Sequence, residues 1–110
     1  MTVMNSFLIV MTSLPNLLAA QELARKLLEK KLAACIQIQS GIQSLYYWEG
    51  KLCEEQEVLL SAKTSANLWD EIEAYILSEH PYDLPEVIAL SPSQVNPAYA
   101  KWIKDETKPS

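Results

Sequence analysis

Residues 36–64 carry the clearest pattern of apolar and polar positions in the chain. Before residue 49, mainly apolar side chains occupy alternate positions, and glutamines occupy several of the positions between them. The alternating set comprises Ile36, Ile38, Ile42, Ser44 and Tyr46. A period of two residues is typical of a strand with one buried face. Residues 52–64 are also extended in character, and Glu49-Gly50 supplies a turn because glycine takes a positive φ without steric cost. The pattern predicts a β-hairpin.

The predicted hairpin is unusually long. Each arm would run about 13 residues, whereas a typical strand has about 5–6. Ser40-Gly41 interrupts the first arm and marks a bulge or bend. A small domain cannot cover arms of this length, so the far end must project as an apolar edge that has to be paired or covered. We therefore expect the protein to associate with itself.

The chain before the hairpin predicts one strand and one helix. Residues 7–11 form a continuous apolar run, which is typical of a central strand, and this strand should end near residues 12–13. Pro15-Asn16 opens a helix whose apolar residues recur at helical spacing, and Asn16 is its predicted N-cap.

The chain after the hairpin predicts a helix, a strand and a final helix. The first helix should run from about Ser65, a candidate cap, to Glu79, because Pro81 cannot continue it. Residues 86–90 are apolar after the first position and predict a last core strand. A short C-terminal helix is expected over residues 97–104.

The order of these elements is βαββαβ followed by one helix. Because each of the first two helices connects two strands of one sheet, we predict a four-stranded antiparallel sheet with helices on one face. This is a ferredoxin-like α+β sandwich. With 110 residues and no dividing linker, the chain is expected to form a single domain over residues 1–110.

Composition excludes several classes of function. A net charge of -5 argues against nucleic-acid binding, which needs clustered Lys and Arg to neutralise phosphates. The basic residues 25–31 fit the solvated face of a helix. No window approaches the ~20 apolar residues of a membrane span, and the N-terminus lacks the pattern of a secretory signal. We expect a cytoplasmic protein of prokaryotic type that contacts neither nucleic acid nor membrane.

The two cysteines are expected to be free thiols. If Trp48 faces Lys51 across the turn, Cys53 lies opposite Tyr46 and Cys35 lies opposite Thr64. The two sulfurs would then be separated by ~36 Å along the ladder, at ~3.3 Å per residue. A disulfide cannot span that distance, which fits a reducing compartment.

His80 is the single histidine, so any triad-type catalysis would have to be built around it. With two glycines in the chain, neither a phosphate-binding loop nor a nucleophile elbow is present. From the residues alone, His80 fits either a role at the helix C-terminus or a ligand role. Glu57 and Lys63 are candidates for pairing at a subunit interface, and the aromatic residues near the turn fit an interface.

Several motifs occur together along the chain in a fixed order. They are Thr12-x-x-Pro15, residues 32–36 (LAACI), residues 44–51 (SLYYWEGK), Glu57, Lys63-Thr64, His80-Pro81-Tyr82-x-x-Pro85-Glu86 and Tyr99-x-x-Trp102. With this combination the chain resembles the CutA family of divalent-cation tolerance proteins. The resemblance implies a non-enzymatic, cytoplasmic homotrimer with a PII-like architecture, linked to tolerance of copper and other divalent cations.

The resemblance also implies two kinds of site. The cysteine and paired histidines that bind copper in a family member correspond here to Met11, Glu79 and His80, so copper or another divalent cation is a possible ligand, with no cofactor required. Alternatively, a PII-like trimer would bind a small molecule or an anion in the cleft between subunits, through residues of the hairpin and the chain after the second helix: Trp48, Glu57, Lys63, Tyr82 and Glu86. A third interpretation is an enzyme with Glu57 or His80 as general acid or base.

Overall fold

The predicted order of elements is confirmed by a computed structural model that describes residues 7–109. Its elements are β1 Phe7–Leu14, α1 Leu17–Glu29, β2 Cys35–Trp48, β3 Lys51–Ser65, a 3-10 helix Ala66–Leu68, α2 Trp69–Glu79, β4 Ile88–Leu90 and α3 Pro97–Glu106. Residues 1–6 and Ser110, which the single-domain prediction also covers, lie outside the described range. The prediction of a single domain over residues 1–110 therefore stays a prediction.

The four strands form one antiparallel sheet in the order β2-β3-β1-β4. This order and the βαββαβ connectivity confirm the ferredoxin-like arrangement. β1 lies inside the sheet, between β3 and β4, which agrees with its continuous apolar sequence. It extends through Leu14, one residue beyond the predicted end at residues 12–13.

The hydrophobic core lies between α1, α2 and one face of the sheet. Its buried members are Val10, Leu14, Ala20, Leu23, Ala24, Leu27, Leu32, Ala33, Val58, Leu60, Ala62, Ile72 and Ile76. The predicted cap of α1 is confirmed, because the Asn16 side chain accepts a hydrogen bond from the backbone N–H of Ala19 at 2.8 Å. Because Val58, Leu60 and Ala62 of β3 belong to the core, the core anchors the half of the hairpin that is far from the turn.

The hairpin is as long as the sequence predicts. β2 has 14 residues and β3 has 15, and the described chain measures 49 Å along its long axis against 29 and 23 Å across. The turn places both Glu49 and Gly50 at positive φ, 50° and 81°, as a two-residue hairpin turn of the I′ type requires. The distal half of the hairpin therefore projects from the core.

A bulge at Ser40-Gly41 confirms the predicted interruption of β2 and moves the register by one residue. Gln39 pairs with Leu59 but Ile42 pairs with Glu57, so β2 holds one extra residue there, and Gly41 takes a φ of 81°.

The predicted pairing of Cys53 with Tyr46 is confirmed, whereas that of Cys35 with Thr64 is wrong. Cys35 pairs with Lys63 instead, and both cysteines are free.

The bulge also changes which side of the sheet each half of β2 faces. Residues that pair directly share a side, so Ile38, opposite buried Leu60, faces the helices and packs on the core. Ile42, opposite Glu57, faces the other side. The expectation of one continuous buried face along β2 is therefore wrong, because the extra residue reverses the alternation.

Two other expectations need correction. The predicted core strand over residues 86–90 is limited to β4, whose three residues are all exposed at the edge of the sheet. Ser65 does not cap the following helix through its side chain; its hydroxyl instead lies 2.6 Å from that of Thr107, after α3. This contact ties the end of β3 to the C-terminal segment.

α3 lies on the face of the sheet opposite α1 and α2. Lys63 on that face contacts Tyr99 of α3 through both its hydroxyl, at 3.4 Å, and its ring, with 5.3 Å from Nζ to the centroid. α3 itself contacts β1 and β3. Within residues 7–109, no helix is long and apolar enough to cross a membrane.

Candidate functional site

A cavity of about 810 Å³ lies where the distal hairpin meets the loop that follows α2. The hairpin contributes residues 44–48 and Glu57 to the lining, and the loop contributes residues 81–84 and Glu86. Ser13 of β1 also lines the cavity. The volume falls within the range of small-molecule sites. The long hairpin and the loop before β4 together create this concave surface.

The bond between Tyr82 and Glu57 joins the two walls of the cavity. The phenol O–H of Tyr82 donates to Glu57 Oε2 at 2.7 Å. Burial, followed by this hydrogen bond and the Glu57 charge, raises the pKa of Tyr82 well above its ordinary value. The phenol therefore stays protonated at neutral pH and remains a donor to the carboxylate.

His80 fixes the start of the loop that carries Tyr82. Since Pro81 disfavours helical geometry in the residue before it, His80 ends α2 in an extended conformation with φ -75° and ψ 137°. Its imidazole Nε2 lies 2.8 Å from the Ser13 carbonyl oxygen, and Nδ1 accepts from the Tyr82 backbone N–H at 3.2 Å. Because a carbonyl only accepts and an N–H only donates, the ring is neutral with its proton on Nε2.

The environment of His80 lowers its pKa. Burial is the largest cause, and it outweighs the Ser13 hydrogen bond and the Glu57 charge, which both raise the pKa. Protonation at Nδ1 would also place a second donor against the Tyr82 N–H. The fold therefore favours the neutral ring.

We expect this shift to make the protein less stable as the pH falls below 6.5, the ordinary pKa of histidine. In that range the unfolded chain binds a proton at His80 that the folded chain does not, so the free energy of unfolding decreases toward the lowered folded pKa. Above 6.5 both states are neutral at His80 and this contribution is fully present. Urea unfolding at about pH 7.5 and about pH 5.5 measures the loss. A His80→Gln variant should lose less stability over this interval, and an equal loss would contradict the assignment to His80.

The three metal candidates do not form an open coordination site. Both ring nitrogens of His80 are bonded, and Glu79 accepts from Lys26 Nζ at 2.7 Å. Met11 is half-buried on β1, two residues before Ser13. Among residues 7–109 there is no group of three or more His, Cys, Asp and Glu side chains that could hold a metal ion. The arrangement as described does not fit a divalent cation.

Four of the five cleft candidates come together in the cavity. Trp48, Glu57, Tyr82 and Glu86 all line it. Lys63 shares a side of β3 with Glu57 but lies further along the strand, against Tyr99 of α3. The sequence did not indicate Ser13, because its contribution to His80 is a backbone carbonyl. Asp83 also lines the cavity and was not predicted. Its position directly after Tyr82 is the sequence signal that could have indicated it.

The hairpin tip exposes a second feature of the site. Large apolar side chains around the turn lie in solvent in the single chain: Leu45, Tyr46, Tyr47, Trp48 and Leu52. Tyr47 alone has 74% of its surface exposed. Exposed apolar side chains on both sides of one hairpin end mark an interaction surface rather than an ordinary hairpin end.

Comparison with known proteins identifies the relatives of this chain. The family model described as CutA1 divalent ion tolerance protein matches residues 8–106. The divalent-cation tolerance protein CutA of Pyrococcus horikoshii is 38% identical over 101 residues, covering 92% of this chain and 98% of that protein. The crystal structure of CutA1 from Oryza sativa has a TM-score of 0.93 at 38% identity, covering 99% of this chain and 100% of that one.

Some relatives are considerably longer than this chain. The chloroplastic protein CutA 1 of Oryza sativa is 41% identical over 103 residues, which cover 94% of this chain but 58% of that protein. The chain spans a little over half the length of this and the other plant and vertebrate relatives it matches. The family model covers nearly the whole chain, and the prokaryotic relative matches it almost end to end. The chain belongs to the CutA1 divalent ion tolerance family.

Proposed function

We propose that this protein is a non-enzymatic homotrimer that binds or responds to copper and other divalent cations. The observation that supports the assembly best is the projecting hairpin, whose apolar tip is exposed in the single chain. Such an edge needs a partner, and further copies of the same chain supply one with matching strands. The names of the Thermus thermophilus and Pyrococcus horikoshii relatives, divalent-cation tolerance proteins, support the link to metal ions.

The proposal of a non-enzymatic role is supported by the contacts of the two acid-base candidates. Glu57 is held by Tyr82, and His80 is bonded at both nitrogens. A general acid or base needs a proton position that faces a substrate. Both groups are instead engaged in joining the loop to the sheet.

Metal binding is proposed to involve His80, Met11 and Glu79. A thioether and an imidazole are suitable ligands for Cu(I), and a carboxylate favours harder ions. His80 would have to give up one of its two hydrogen bonds, and Glu79 its ion pair with Lys26, to coordinate an ion. Binding at this place is therefore coupled to a rearrangement of the loop after α2.

Calorimetric titration of the metal-free protein tests this part of the proposal. We expect Cu(I) to bind one site per chain, with affinity reduced about tenfold in Met11→Leu and lost in His80→Gln, which retains a donor for Ser13 but lacks an imidazole lone pair. Cu(II) and Zn(II) should bind more weakly. Asp70→Asn, at the exposed start of α2, is the control and should bind like the wild type. Equal binding by wild type and His80→Gln would contradict a role for this ring.

A second candidate function is a PII-like trimer that binds a small ligand at the subunit boundary. The cavity of about 810 Å³ favours it, because four of the predicted cleft residues line one concave surface. Trp48 lies both in this lining and on the exposed tip, so the proposed ligand and the proposed partner subunit would meet at the same ring.

A further inference from the structure

The ionisable groups that line the cavity are of one sign. Glu57, Asp83 and Glu86 contribute carboxylates, and none of the described lining residues is Lys, Arg or His. Lys63, the one cationic residue expected at the cleft, is turned toward Tyr99 on another part of the sheet. A concave surface with charge of a single sign concentrates ions of the opposite sign. The lining therefore favours a cation over an anion.

The same cavity is rich in aromatic rings. Tyr46, Tyr47, Trp48 and Tyr82 all contribute to the lining. The face of an aromatic ring attracts a cation, and tryptophan does so most strongly. Rings also contact the alkyl groups of an organic ion, which bare carboxylates do not. Aromatic faces beside carboxylates therefore fit an alkylated ammonium group better than an inorganic ion.

The hydrogen bond from Tyr82 fixes the position of the Glu57 carboxylate in the cavity. Tyr82 donates its phenol hydrogen to Oε2 of Glu57 at 2.7 Å. The pKa of Tyr46 is raised by burial first and then by the carboxylates of Glu55 and Glu57, which lie near its hydroxyl on this wall. The Tyr82 hydroxyl thus holds the carboxylate of Glu57 in place on this wall of the cavity.

Inorganic cations are less suited to the cavity. The three carboxylates are not grouped closely enough with other ligands to count as a metal site within the described chain. Divalent cations need several oxygen ligands within about 2.0–2.6 Å. An organic cation needs one carboxylate and surrounding rings instead.

We infer that the cavity between the distal hairpin and the loop after α2 binds a small organic cation of the alkylammonium class. This inference rests on the small-ligand cleft proposed above and specifies the chemistry of its ligand. Glu57 supplies the counter-charge, Trp48 and Tyr82 supply aromatic faces, and the volume of about 810 Å³ accommodates an ion with several alkyl groups.

Calorimetry with tetramethylammonium chloride tests the inference on the purified protein, with its mass recorded by light scattering. We expect saturable binding of tetramethylammonium, weaker at high salt because the charge of Glu57 is partly screened. Sodium chloride and the neutral tert-butanol, at the same concentrations, should give no saturable heat. Sodium sulfate tests an anion in the same assay.

Matched variants locate the site. Glu57→Gln keeps the size of the side chain and an acceptor for Tyr82 but removes the charge, so it should weaken tetramethylammonium binding about tenfold. Trp48→Leu should weaken it by a similar factor because it removes a ring. Glu29→Gln, which makes the same change at an exposed position near the end of α1, should bind like the wild type. Tyr82→Phe keeps the ring and should retain most of the affinity.

The outcomes separate the inference from the proposal beneath it. Binding of sulfate or tert-butanol, but not tetramethylammonium, in a manner that depends on Trp48 would overturn the cationic chemistry and leave the cleft intact. Absence of saturable binding by every probe, in protein of the expected trimer mass, would overturn both. Equal effects of Glu57→Gln and Glu29→Gln would show that general charge, and not this cavity, attracts the cation, which also overturns the inference.

Discussion

Replacing Leu59 with glutamate should convert the proposed trimer into folded monomers. Leu59 is half-buried in β3 and pairs with Ser13 and Gln39 on the side of the sheet away from the α1–α2 core. An unpaired charge placed in a closed interface costs several kcal/mol. Because a symmetric assembly introduces the charge once per chain, we expect the dissociation constant to rise by more than about 100-fold.

The choice of Leu59 follows from the bulge in β2. Ile38 lies in the same hairpin but packs on the core, so a charge there would damage the monomer as well as the assembly. Leu59→Glu should retain the circular dichroism spectrum of the wild type. Sedimentation velocity over a range of protein concentrations then measures the loss of assembly.

Leu18→Glu is the matched control for this experiment. Leu18 lies in α1, on the opposite side of the sheet, with 62% of its surface exposed. The same change of side chain there should leave the sedimentation profile unchanged. A folded Leu59→Glu variant that sediments like the wild type would show that this face of the hairpin is not a subunit interface.

Removal of the His80 imidazole should destabilise the metal-free protein by about 2–3 kcal/mol. His80→Ala leaves the Ser13 carbonyl and the Tyr82 N–H without their partners, in a partly buried place. The start of the loop after α2 would no longer be tied to the end of β1. The bond between Tyr82 and Glu57 should weaken as a consequence, and the cavity should lose its fixed wall.

Two substitutions separate the two hydrogen bonds of the ring. His80→Gln can place an amide donor near the Ser13 carbonyl, and His80→Asn can place an acceptor near the Tyr82 N–H. Each should recover part of the stability lost in His80→Ala. Urea unfolding at one fixed protein concentration provides the comparison, since assembly makes stability concentration-dependent. If metal-free His80→Ala were as stable as the wild type, the structural role of His80 would be refuted.

The sequence predicted the long hairpin because its signals are local. Alternation along residues 36–47, the Glu49-Gly50 turn and the Asn16 cap each depend on a few neighbouring residues. It did not predict the reversal of faces in β2, because Ile42 continues the apolar parity of Ile36 and Ile38 across the bulge. An extra residue changes the register without changing that pattern.

The edge strand and the candidate site show a different limit. Residues 86–90 are apolar enough for a core strand, yet β4 is exposed in the single chain, since apolar composition does not reveal whether a partner covers a strand. Trp48, Glu57, Tyr82 and Glu86 were selected through a family resemblance, and the fold brings them together. The bond from His80 to Ser13 was not predictable, because a backbone carbonyl carries no side-chain signature.

The bulge at Ser40-Gly41 constrains how the hairpin can change in length. Between the bulge and the turn, Ser44, Tyr46 and Trp48 share a side with Ile42 because every second residue points the same way. Inserting one residue in this stretch would carry the rings beyond it to the opposite side of the ribbon, away from Tyr82. Inserting two, with two more in β3, would keep their orientation. Descendants of this sequence can therefore lengthen or shorten the arms in pairs of residues, while odd steps would separate the aromatic wall from its carboxylate.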